Sequence, residues 1–389
     1  MTINEPEGPS TARPARAPLL ASILWLGVSG CYGAHERGAP PPPCGLAAPT
    51  CVTRDAPCDP LRIVNAACVG ETWACPEGAS VYERPFTSDR CLPLFGHGGG
   101  LIDGVHEAPV PVPIGDRCAW VMPGDDGVSL AFVDVAPSCE ELGDAAPLEV
   151  DPSEAYDYLA LAQSLALPSG PAVLVRGWVF DPAAAFGVRG AGVGLSSVGA
   201  VRLGSPLPWL FGEDDDLGDA ALVWGDHVYA YGCPGVPHDL LEDCHVGRAP
   251  LGREREPSAW EIFGEGGWGV GTPVVVFGSG PHRGPVVADP RGGLVHLYAV
   301  GFGSTIELTR AERPEGPWSP PTTLVPCELP ADDPDAYCAG PIVHLELFDP
   351  TRPDEIVVSY AIGTTASDGA ERRARSPERY WPRVVRVAW

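Results

Sequence analysis

The chain has no lysine. All 25 of its basic residues are arginines, set against 51 aspartates and glutamates for a net charge of −26 over 389 residues. A surface of that sign repels phosphate backbones and argues against nucleic-acid binding; the arginine-only usage points to no mechanism. There is no CxxC spacing and no Cys/His cluster, so neither a zinc site nor any other metal is expected. GxSxG, the P-loop and HExxH are missing too. The glycine-rich GSGPHRG at 278–284 has no lysine and no helix pattern after it, and GVRGAGVGL at 187–195 lies between strands, so no phosphate-binding cofactor is expected.

Long helical periodicity is scarce. Gly 48 and Pro 46 make up about a quarter of the residues, a composition of turns and short strands, while 44% hydrophobic content is ample for a core. The uncharged run Ala17 to Gly30 has an apolar heart of only LLASILWL, too short to cross a membrane and suited to a signal-peptide core behind Arg13 and Arg16.

Thirteen cysteines cannot all pair with one another. The run ends in Val28-Ser29-Gly30-Cys31, which resembles the bacterial lipobox, and acylation of Cys31 leaves twelve cysteines for six disulfides in an oxidising compartment. The expectation is a signal peptide at 1–30, a proline-stiffened tether at 31–43 and a lipid-anchored protein of the bacterial cell envelope, at the outer membrane. Six cysteines between Cys44 and Cys91 mark a disulfide-rich module at 44–94, with 15 possible connectivities. Local clips are expected at Cys118/Cys139, Cys233/Cys244 and Cys327/Cys338.

From 95 to 389 one kind of strand recurs: VSLAFVDV at 128, VLVRGWVF at 173, HVYAYGC at 227, LVHLYAV at 294 and EIVVSYAI at 355. Five copies at long spacing predict an all-β, five-bladed β-propeller, with a β-sandwich pair or a β-helix as the competing folds. The third and fourth copies are each followed by a strand ending in Arg-Ala and an element carrying a Trp, the order of consecutive antiparallel strands in a blade.

GGGLIDG (98–104), CAWVMPGDDG (118–127), LFGEDDDLGDAALVWGDHVYAYGC (210–233), RAERPEGPWSPP (310–321) and YWPRVVRVAW (380–389) resemble a family of bacterial secreted five-bladed propellers. Some of its members are endo-D-arabinanases, and it is similar to other propeller glycosidases. The resemblance implies an axial funnel where carboxylates meet a polysaccharide or cell-envelope glycan. Glycoside hydrolysis needs one protonated and one ionised carboxyl. Asp103, Asp125 and Glu213 are the candidates, with Trp209 beside Glu213 as a sugar-stacking face. His344 is implied as an axial residue contacting substrate or a central ion.

Each of these also has a plainer reading. Asp125 sits in a good hairpin turn, Pro123 to Gly127; Glu213 opens a run of four carboxylates; His344 lies in an apolar strand. Function therefore stands between an arabinanase-like glycoside hydrolase and a non-catalytic glycan- or protein-binding propeller, a monomer in either case.

Overall fold

Apolar runs cut short by glycine and proline become short antiparallel strands. The computed structural model describes residues 44, 48–49, 51–53, 62–81, 110–114, 117–123, 130–134, 146–150, 158–180, 188–199, 202–204, 210–211, 217–233, 243–277, 284–376, 379–380 and 382–389. Among the described residues only one α-helix occurs, α1 (Gly369–Arg375).

In the cysteine-rich segment, β1 (Cys51–Thr53) lies between β2 (Arg62–Val64) and β5 (Ser80–Val81), and β3 (Ala67–Val69) pairs with β4 (Thr72–Ala74). The bridges Cys44–Cys68 and Cys51–Cys75 staple these strands. Ile63, Val69 and Val81 stay exposed, so the disulfides supply what a core of this size cannot.

From Val110 onward the described strands form five sheets that follow one another along the chain. The first holds β6 (Val110–Ile114), β7 (Arg117–Pro123), β8 (Leu130–Asp134) and β9 (Ala146–Val150), with β13 (Arg202–Leu203) added parallel to β9. The second is β10 (Tyr158–Leu167), β11 (Gly170–Phe180) and β12 (Val188–Ser197); the third runs β14 (Ala220–Trp224), β15 (His227–Gly232), β16 (His245–Pro250), β17 (Glu261–Gly264) and β18 (Gly267–Trp268). The fourth is β19 (Val286–Ala288), β20 (Leu294–Ala299), β21 (Thr305–Ala311) and β22 (Thr322–Pro326); the fifth is β23 (Ala336–Val343), β24 (Glu355–Thr364) and β25 (Arg383–Ala388).

The recurring strand of the sequence is the second strand of sheets two to five, β11, β15, β20 and β24. In the first sheet it is the third strand, β8, and RCAWVMP forms the second. Both β7 and β8 have a neighbour on each side, and such central strands read alike, as near-continuous apolar runs.

Alternation of side chains then stacks the sheets. On β11, Val173 and Val175 pack with Val112, Ala119 and Val121 of the first sheet. Ala172 and Leu174 pack instead with Ala221, Val228 and Ala230 of the third. Ala220, Leu222, Tyr229 and Tyr231 turn the other face of the third sheet to Val286 and Leu294 of the fourth. Val287, Val295 and Leu297 of the fourth meet Val343, Ile356, Val358 and Tyr360 of the fifth. Ile342 of the fifth sheet packs back against the first cluster.

A β-bulge adjusts this pattern. The β10–β11 register slips between Leu161 and Gln163, leaving Ala162 as the extra residue. Leu161 stays opposite Val175 and packs toward the first sheet. Gln163, opposite Leu174, and Leu165, opposite Ala172, pass to the side of the third. There the Ala221 amide donates to Gln163 Oε1 (3.2 Å), while Gln163 Nε2 donates to the Val286 carbonyl (2.9 Å). One side chain thus ties three sheets together. Gln163→Leu, close in size, strands both backbone groups and is expected to cost about 2–4 kcal/mol. Urea denaturation should show a lower midpoint at an unchanged slope.

Candidate functional site

First strands of four sheets line one cavity of about 120 Å³. Val110, Pro111 and Pro113 come from β6, Ala162 to Ser164 and Ala166 from β10, Pro285 and Val287 from β19 and the residue before it, and Ile342 and Val343 from β23, followed by Leu345 and Glu346. The sequence VPVPI can form this wall because β6 is the edge strand of its sheet, where a proline's missing N–H interrupts no ladder. The space is large enough for several waters, each needing about 10–15 Å³.

After Val343 the chain leaves β23 in a 3₁₀ turn, Leu345–Leu347, with His344 at its N-cap position. This brings four polar side chains together. His344 Nδ1 lies 2.7 Å from Glu346 Oε1 and Nε2 2.7 Å from Ser359 Oγ. Trp120 Nε1 donates to the same Glu346 oxygen at 2.8 Å, and the Trp120 and His344 rings lie 4.5 Å apart. If Nδ1 carries the proton toward the carboxylate, the neutral ring accepts from the serine hydroxyl at Nε2. The two N–H donors offset the cost of burying the carboxylate, whose side chain is only 4% exposed.

The order Ser359–His344–Glu346 is that of a nucleophilic triad. Burial rules out that use: Ser359 is 0% and His344 1% exposed, so no substrate meets the hydroxyl. The cluster instead fixes a wall of the cavity and joins the last sheet to the first. His344 is placed to orient Glu346, with both ring nitrogens already held.

Asp103, Asp125, Glu213 and Trp209 lie outside the described residues, as do Cys31 and Cys139. The bridges Cys233–Cys244 and Cys327–Cys338 are formed, and Cys118 is disulfide-bonded. Trp120, Gln163, Glu346 and Ser359 escaped the sequence reading. The one available signal was the pair of polar residues in IVHLELF, two apart in an apolar segment.

A general acid needs a carboxyl pKa raised toward neutrality. Two other buried carboxylates are held the opposite way. Burial pushes Asp289 up, but hydrogen bonds and charge from Arg291, with Arg310 beside it, bring it below its usual value. Burial pushes Asp333 up as well, and the Tyr380 hydroxyl at 2.7 Å, Thr364, the Asp335 amide and Arg372 together lower it. The Tyr380 phenol is correspondingly pushed up to about 12, by burial and then by its bond to Asp333. Both carboxylates are structural.

No protein-family model and no curated protein matches this chain. Solved structures do align with it at low identity. A protein from Bacteroides ovatus is 15% identical, with a TM-score of 0.46 over 77% of this chain and 88% of its own. A thermostable family-43 glycoside hydrolase is also 15% identical, TM-score 0.44, over 69% of this chain and 87% of its own. A family-43 arabinoxylan arabinofuranohydrolase from Bacillus subtilis is 12% identical, TM-score 0.42, over 75% and 65%. With TM-scores below 0.5, none of these likenesses decides the fold or the activity of this chain.

Proposed function

We propose that the five sheets are the blades of a five-bladed β-propeller in an exported envelope protein, lipid-anchored through Cys31 and monomeric, and that its axial region acts on polysaccharide as an arabinanase-like glycoside hydrolase. The observation that carries this reading is the meeting of four first strands on one cavity. Support for the propeller comes from the packing order, in which each sheet is buried against the next and the last returns to the first. In this reading the cavity marks the axis. Asp103, Asp125 and Glu213 share the acid, base and positioning roles, with Trp209 as a stacking face and His344 holding Glu346 in the axial wall.

The experiment is reducing-end release from a panel of arabinan, galactan and xylan. Activity on one of them, falling about 10²–10⁴-fold in Asp103→Asn, is the expected result. Silence across the panel would leave the second reading, a propeller that binds glycan or protein without cleaving it. A specific feature favours that alternative: the cavity is walled by proline and aliphatic side chains, and its carboxylate is already engaged by Trp120 and His344.

A further inference from the structure

The hairpin tip between β20 and β21, Val300 to Ser304, holds its apolar side chains out in water. Phe302 is 61% exposed and Val300 38%. A loose loop could turn such groups inward, but this one is pinned. Thr305 accepts from the Val300 amide (3.3 Å), Ser304 from the Cys327 amide (2.8 Å) and Gly303 from the Cys338 amide (3.0 Å), the last two residues being bridged to each other. Gly301 takes a φ of 55°, and a Cβ at Gly303 would lie 2.5 Å from the Val300 carbonyl oxygen, so the tip needs both glycines. Tyr337 completes the surface. Its ring meets Phe302 edge to face, with centroids 4.9 Å apart at 78°. It lies across Gly363, where a Cβ would come within 2.6 Å of the phenol oxygen.

The geometry points to Phe302 and Tyr337, with Val300, as an aromatic platform that binds a neutral saccharide chain by stacking on the C–H face of a sugar ring. This rests on the polysaccharide reading above and names a contact point for that substrate outside the cavity. Three side chains are far fewer than the roughly 20–30 residues a side of a stable protein interface, but they match one or two sugar rings. A net charge of −26 disfavours a polyanion. What remains is a neutral ring with one apolar face and its hydroxyls left in water. Tyr337 stands near the start of β23, and Ile342, five residues on, lines the cavity. A bulge at Gly340–Pro341 interrupts β23 between them, but their partners on β24, Gly363 and Ser359, are four residues apart, about 13 Å along that strand, so a ligand reaching both is longer than a single sugar.

The test is affinity electrophoresis of the full chain in gels containing arabinan, galactan or arabinoxylan. Phe302→Ala should weaken association with whichever polymer retards the wild type by about tenfold, with the melting temperature lowered only slightly, because the ring is mostly exposed and loses one contact, with Tyr337. Phe302→Trp should restore it and Phe302→Leu should not. Equal retardation of wild type and Phe302→Ala would overturn the platform and leave the polysaccharide reading standing. No retardation of the wild type by any polymer would overturn both. Self-association in sedimentation that Phe302→Ala abolishes would assign the surface to a second copy of the chain and sink the proposal.

Discussion

Asp219→Ala is expected to destabilise the protein by about 3–5 kcal/mol, a large share of the 5–15 kcal/mol that holds a typical domain folded. Asp219 pairs with Arg176 at 3.0 Å, each side chain only 5% exposed, and its second oxygen accepts the Cys233 amide at 2.8 Å. Arg176 shares the β11 face of Ala172 and Leu174, which packs on the third sheet. Deleting the carboxylate leaves a guanidinium charge inside a sheet–sheet interface. Replacing both partners, as Arg176→Met with Asp219→Leu, should recover most of the loss, because a buried ion pair recoups little beyond its own desolvation. Guanidinium denaturation of the three variants is the measurement. A loss below about 1 kcal/mol for Asp219→Ala would mean that the pair is solvated and does not hold these sheets together.

Trp120→Ala should cost a similar amount, about 3–5 kcal/mol, since the indole is fully buried and its removal opens a large void. Its effect should also be localised. Trp120 belongs to the first sheet, and its N–H reaches Glu346 beyond the end of the first strand of the fifth. Hydrogen exchange in the variant should therefore accelerate first in β7, β23 and β24, ahead of β15 and β16. Trp120→Phe keeps most of the packing but removes the donor and part of the ring volume, so about 1–3 kcal/mol is expected there. Uniform acceleration across all five sheets would show that the contact between first and last sheets is not a seam with its own opening.

Much of the strand content was legible because alternation and turn chemistry are local. Four of the five repeated apolar runs are second strands of their sheets, and cysteines spaced as in Cys233/Cys244 and Cys327/Cys338 are close enough along the chain to clip adjacent strand ends. The first run is instead the third strand of its sheet, where β7 and β8 both have a neighbour on each side. Asp219 was legible only as one acid among several in LFGEDDDLGD, where nothing local separates the carboxylate that meets Arg176 from its neighbours. Gln163 is a polar residue within an apolar strand, with nothing local to mark it out. The bulge at Ala162 that turns it toward the third sheet leaves no mark in YLALAQSLAL.

The sequence by itself determined an all-β chain, the succession of its strands, the local disulfide clips Cys233–Cys244 and Cys327–Cys338, and a strongly negative net charge. Tertiary structure alone decided which faces meet and which polar groups are spent in holding them. The ties that matter most join residues 58, 123 and 226 positions apart, Gln163 to Ala221, Gln163 to Val286 and Trp120 to Glu346. A periodicity of two says that a side chain points to one face or the other. It carries no information on what lies opposite, and only the folded chain sets the two ring nitrogens of His344 against Glu346 and Ser359.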